Sequence, residues 1–128
     1  MTLHVALVVP DRELWSGQAR TVIAKTTEGD IGVLTGHSPV FGVLTEGSVA
    51  EIVTDEQRVR AAVSGGFLSV ADDRVSILAA QAELAGEINI EQTRQELAAA
   101  LAEGAPGAED SPAVRYARAR LRAAGSQD

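Results

Sequence analysis

Residues able to do acid–base, nucleophilic or metal chemistry are few in this 128-residue chain, and they are scattered. The two histidines, His4 and His37, lie on separate segments, and there is no cysteine. The single lysine, Lys25, follows no glycine run, so the phosphate cradle G-x-x-x-x-G-K-[ST] is absent, as are G-x-G-x-x-G and G-x-S-x-G. Two carboxylate pairs, Asp72-Asp73 and Glu109-Asp110, fall in predicted turns and read as solvated. Nothing assembles a nucleophile, a base and an oxyanion site. The residues therefore assign no catalytic group, no metal ligand and no bound cofactor. His4 falls in a predicted strand and reads as a packed or surface side chain. His37 sits in a displayed turn and is the better candidate for a contact.

The chain offers a display surface instead. Residues 28–47 read E-G-D-I-G-V-L-T-G-H-S-P-V-F-G-V-L-T-E-G, with five glycines punctuating short apolar runs. Glycine supplies backbone angles that other residues resist, so this density predicts tight turns between short strands. The polar groups carried there, Asp30 and His37 among them, are expected at one end of a β-structure. That arrangement suits docking rather than catalysis.

The elements that must position these turns follow from composition and spacing. A chain of this length is one ordinary domain, or a domain with an appendage, and buries roughly two thirds of its unfolded surface. Apolar residues make up 45% but aromatics only 3%, so the core is built from Val, Ile, Leu and Ala. Residues 3–9, 19–26, 31–34, 40–45, 49–54, 59–64, 67–70 and 75–78 are rich in β-branched side chains and separated by turn residues. Many short strands without intervening helices predict a sandwich or barrel. After Gly86 alanine takes over. The division expected is a β domain over 1–86 and a helical hairpin over 87–128, an α+β chain.

In the hairpin, Asn89 is a candidate cap, and Ile90, Thr93, Leu97, Ala100 and Leu101 share one helical face. That helix is expected to stop at Gly104-Ala105-Pro106-Gly107. Ser111-Pro112 starts a second helix and Gly125 ends it. Its stripe Val114, Ala117, Leu121 and Ala124 is distinct from the stripe Arg115, Arg118 and Arg122, with Arg120 to the side. Five large apolar residues across both helices, each worth roughly 1.5–3 kcal/mol buried before ordering costs, predict a weakly docked, movable element.

Charge is uneven. Residues 1–110 hold 7 basic and 17 acidic groups (−10), whereas residues 111–128 hold four arginines and one aspartate (+3). An acidic body disfavours nucleic acid, whose affinity depends on phosphate attraction. The basic tail suits a localised acidic partner. No apolar run approaches the roughly twenty residues that cross a bilayer, and no signal peptide opens the chain, so an intracellular chain without membrane insertion is expected.

The runs G-D-I-G-V-L-T-G-H-S-P-V and V-S-G-G-F-L-S-V-A-D-D-R-V-S-I-L-A, the following Ala82-Glu83, and the opening L-H-V-A-L-V-V-P-D-R-E-L-W-S-G-Q-A resemble the epsilon subunit of bacterial F-type ATP synthase. The motifs stand in the family's order and spacing over essentially the whole chain. The short C-terminal part and the ratio of ten Arg to one Lys resemble the actinobacterial branch. The resemblance implies a ten-stranded β-sandwich followed by a helical hairpin. It further implies a non-catalytic rotor subunit of the central stalk, peripheral to the cytoplasmic side of the cell membrane, which links the γ subunit to the c-ring for proton-coupled ATP synthesis. The ring-facing loops match residues 28–30 and 36–39 here, with Glu28, Asp30, His37 and Ser38 as contacts. The hairpin would restrain ATP hydrolysis by reaching the α and β subunits, with Arg115, Arg118 and Arg122 against an acidic β-subunit loop.

Two departures limit the likeness. The family's proline before Gly-His is Thr35 here, which loosens that turn. The nucleotide pattern I-D-x-x-R-A of some relatives reads Ile88-Asn89-Ile90-Glu91-Gln92-Thr93, so no ATP binding by this chain is expected. Two other classes stay distinguishable. A ligand-binding β-barrel with a helical cap requires a sizeable interior cavity, and a small hydrolase requires a nucleophile–base pair. An exposed apolar patch on the sandwich would favour the rotor reading.

Overall fold

The computed structural model describes residues 2–102 and 107–125. Ten strands run β1 Leu3–Val9, β2 Arg12–Ala19, β3 Thr21–Thr26, β4 Gly29–Val33, β5 Val40–Leu44, β6 Ser48–Val53, β7 Arg58–Val63, β8 Gly66–Ala71, β9 Arg74–Ala79 and β10 Ala82–Leu84. Two helices follow, α1 Ile90–Ala102 and α2 Pro112–Ala123. The strands pair in the order β10-β7-β6-β3-β5-β8-β9-β1-β2, with β4 attached to β3. All pairings are antiparallel except β1 with β9. This is the ten-stranded sandwich with a C-terminal pair of helices that the sequence led us to expect.

Alternation drives the fold. In β1, Leu3, Val5, Leu7 and Val9 are buried while the residues between them are not, and β6 repeats the pattern with Ser48, Ala50 and Ile52. The inward residues of nine strands meet in one aliphatic core that includes Val22, Val33, Leu44, Val63, Leu68, Val70, Val75 and Ile77. Two strands lack this signature in the sequence. β2 buries only Ala19 fully and forms as the antiparallel partner of β1. β10 is three half-buried residues on the edge of β7.

The helices are joined to the sheet by the second of them. α2 lies over β6 and β7, where Ala119 and Ala123 meet Ala62, with Val49, Ile88 and Tyr116 around them. The Asn89 carboxamide oxygen accepts from the Gln92 amide at 2.9 Å, and the Ser111 hydroxyl accepts from the Val114 amide at 3.3 Å, so both expected caps are present. Ile90, Thr93, Leu97, Ala100 and Leu101 are the residues of α1 that are not exposed, and of these Thr93 alone is fully buried. In α2 the buried set is Val114, Ala117, Ala119, Leu121 and Ala123, broader than the expected stripe because this helix is covered by both the sheet and α1. The expected stop at Gly104-Ala105-Pro106 lies outside the described residues.

Candidate functional site

Four loop residues were expected to work together, and the structure divides them. Glu28 lies in the β3–β4 turn, where the Thr26 hydroxyl accepts from its amide at 3.2 Å and donates to the Gly29 carbonyl at 2.7 Å. Asp30 stands opposite Lys25 in the β3–β4 register. His37 and Ser38 come after β4, beyond its other end. β4 is five residues long, roughly 16 Å at about 3.3 Å per residue. No hydrogen bond or ion pair joins the two groups among the described residues.

The His37 loop is held by a residue that sequence reasoning treated as a solvated turn. Asp72 and Asp73 both adopt positive φ, 52° and 59°, which turns β8 back into β9. Asparagine and aspartate tolerate that conformation better than other non-glycine residues. The turn places the Asp73 carboxylate where it accepts from the Gly36 amide at 2.7 Å, and the Asp73 carbonyl accepts from the His4 amide at 2.8 Å. The loop in which Thr35 replaces a proline is therefore tethered by the β8–β9 turn, which lies beside it because β5 pairs with β8. Within it, Nδ1 of His37 lies 2.6 Å from the Ser38 carbonyl oxygen. A carbonyl only accepts, so Nδ1 is the donor in this contact.

The sandwich also presents an apolar face. Val43 pairs with Phe67 across β5–β8, Phe67 pairs with Leu78 across β8–β9, and Leu78 pairs with Val8 across β9–β1. Val43, Phe67 and Leu78 are exposed, Val8 is half-buried, and Phe41 is 67% exposed. The Phe41 and Phe67 rings stack with centroids 5.4 Å apart. Beside this face a surface groove of about 710 Å³ runs from Val8 and Pro10 past Gly65 and Gly66 to Pro112 at the start of α2. Sequence alternation marks each of these residues as outward-facing, but only the strand order makes them one surface. The inward side chains of the strands meet in one aliphatic core.

The hairpin arginines are not equally placed. Arg115 faces Glu46 at 3.7 Å and Asp110 at 4.0 Å, and Arg122 donates from Nη2 to the Gly47 carbonyl at 3.1 Å. Arg118 has no ion pair among the described residues. Arg120, set to the side by helical spacing, is instead enclosed, more so than Arg115. Its Nη1 donates to Glu96 of α1, and its Nε lies 2.7 Å from Glu83 of β10. That Nε is buried and misaligned for a hydrogen bond, so the Glu83 contact is an ion pair only. The guanidinium also lies 5.5 Å from the Tyr116 ring centre. Burial works against the Arg120 charge, but the Glu96 hydrogen bond and both carboxylates outweigh it and raise its pKa. Burial, then the Glu83 charge, pushes the Tyr116 hydroxyl up to about 12, with Arg120 opposing.

Among the described residues no cluster of three or more His, Cys, Asp or Glu side chains could hold a metal, and no helix is long and apolar enough to cross a membrane. The arrangement is one for binding surfaces. Residues 2–85 match the family model described as ATP synthase, Delta/Epsilon chain, beta-sandwich domain. The chain is 51% identical over 121 residues to the ATP synthase epsilon chain of Streptomyces avermitilis, covering 94% of each. It is 50% identical over 129 residues to that of Thermobifida fusca, covering 98% of this chain and 94% of the relative. Among solved structures it is similar to a chain in the Euglena gracilis mitochondrial ATP synthase OSCP/F1/c-ring assembly. The TM-score is 0.70 at 24% identity, covering 94% of this chain and 75% of that one, a likeness of fold.

Proposed function

The chain belongs to the ATP synthase epsilon family, a family of non-catalytic stalk subunits, and on that premise we propose that it links the γ subunit to the c-ring within the rotor of an F-type ATP synthase. The observation that carries the reading is the apolar face formed by Phe41, Val43, Phe67 and Leu78. A lone domain gains nothing by leaving stacked phenylalanines in water, whereas a docking surface hides them on assembly. γ covers this face. Residues 1–86 do the docking, and residues 87–128 are the regulatory part. Glu28 and Asp30 on one side of β4, and His37 and Ser38 on the other, contact the c-ring as two separate points. Arg115, Arg118 and Arg122 engage an acidic loop of β when the hairpin extends along γ toward α and β, and this restrains ATP hydrolysis. The chain takes no cofactor, and it sits peripherally at the cytoplasmic side of the membrane while protons pass through other subunits.

Gel filtration with the γ subunit of the same organism tests the docking. The wild-type chain is expected to form a one-to-one complex, and the double variant Phe67→Ser/Leu78→Ser to lose it. Burying each side chain is worth roughly 1.5–3 kcal/mol, so the pair should weaken association by about a hundredfold or more. Folded wild-type partners that fail to associate, or a variant that binds as tightly as wild type, overturn the reading.

A further inference from the structure

Three of the four α2 arginines touch acceptors inside this chain, and the contacts differ in kind. Arg115 and Arg122 are exposed and both meet the turn formed by Glu46 and Gly47. The Arg120 side chain is only 13% exposed and lies between β10, through Glu83, and α1, through Glu96. Exposed ion pairs contribute about 0–1 kcal/mol and fade with salt. An enclosed guanidinium paired with two carboxylates is screened less by salt, and removing it leaves Glu83 and Glu96 without their shared cation.

We infer that Arg120 is the clamp that keeps the hairpin docked, and that the Glu46-Gly47 turn occupies Arg115 and Arg122 so that an acidic protein segment reaches them only after release. The inference rests on the reading of the hairpin as a restraint and adds its control. Docking and partner engagement compete for the same cations, so an acidic partner can pair with them only where a pairing inside the chain has been broken. The triad ties α1, α2 and β10 together at one point. Of the fully buried residues only Thr93 belongs to α1, and the Arg120–Glu96 contact adds a charged tie to the packing of that helix on α2. Glu96 lies within reach of Arg120 because α1 and α2 pack against each other, a proximity the sequence spacing of 24 residues does not announce.

Hydrogen exchange on the full chain tests the clamp without any partner. Arg120→Gln is expected to speed amide exchange through residues 90–102 and 112–123 by roughly tenfold or more, as loss of a charged hydrogen bond implies, while β1, β8 and β9 stay protected. Arg118→Gln, which removes no ion pair among the described residues, should exchange like wild type. Unchanged helix protection in Arg120→Gln with intact strands overturns the clamp. Should Arg120→Gln lose strand protection as well, Glu96→Gln decides, since faster exchange confined to the helices supports the clamp and wild-type exchange overturns it. Binding of a short polyglutamate peptide tests the competition. Glu46→Gln should bind it several-fold more tightly than wild type, and equal or weaker binding overturns that half. ATP hydrolysis by the assembled complex separates the two levels. A freed hairpin with hydrolysis unchanged leaves the clamp standing and removes the restraint.

Discussion

Gly47→Ala should detach the hairpin while leaving the sandwich folded. Gly47 has φ +65° and is buried against the first turns of α2. A methyl group built on it would lie 2.5 Å from both the backbone carbon and the carbonyl oxygen of Arg115. Ordinary carbon contacts are about 3.5 Å or longer, so the helix must retreat by roughly 1 Å. No side-chain rotation relieves the clash, because the obstruction is backbone. The left-handed angle adds about 1–2 kcal/mol for a residue with a Cβ. Retreat also breaks the Arg122 bond to the Gly47 carbonyl and loosens Val114 and Leu121, both fully buried and each worth roughly 1.5–3 kcal/mol at most. A drop of about 1.4–3 kcal/mol in the free energy that closes α2 corresponds to roughly 10–150-fold more open helix. Limited trypsin digestion reads this directly, because α2 contains Arg115, Arg118, Arg120 and Arg122 as cleavage sites that a packed helix protects. Fluorescence of Trp15, the single tryptophan, reports on the sandwich and should not change. Gly32→Ala is the control, since a methyl group there meets nothing within 4 Å. Cleavage of Gly47→Ala at the wild-type rate would refute the argument that close approach at this turn holds the hairpin.

Other consequences are open to measurement. Asp73→Gly should keep the left-handed β8–β9 turn but remove the acceptor for the Gly36 amide, so that amide should exchange several-fold faster with little change in melting temperature. Equal exchange would show that the tether does not hold the His37 loop. Tyr116, the only tyrosine, should ionise near pH 12 by ultraviolet titration, and a midpoint near 10 would contradict its enclosure beside Glu83. Because the folded chain binds the phenolic proton more tightly than an unfolded one, that contribution is complete below pH 10 and is lost as pH rises to about 12. Cutting after Gly86 should preserve γ binding and abolish any restraint of hydrolysis, and loss of γ binding would contradict the proposed division of labour.

Much of the fold could be read from the chain because its signals are local. Period-two burial in β1, β3, β6 and β9 follows from side chains alternating across a strand, and the caps at Asn89 and Ser111 follow from hydrogen bonds that span three residues. The α1 face was legible for the same reason. β2 was not, since it is a polar edge strand that exists because β1 lies beside it, and three-residue β10 is too short to carry a period.

The candidate sites divide along the same line. Residue order alone established the glycine-punctuated loops, the arginine-rich second helix, the absence of recognisable catalytic motifs and the family. Packing in three dimensions settled which of those groups meet. It separated Glu28 and Asp30 from His37 and Ser38 along β4, made Asp73 the anchor of a distant loop, and merged outward residues of β5, β8, β9 and β1 into one apolar face. It also moved the structural weight to Arg120 from its neighbours in α2. Helical spacing gives the direction in which an arginine points, but its partner is set by what the other elements bring within about 4 Å, and that depends on contacts between residues far apart in the chain.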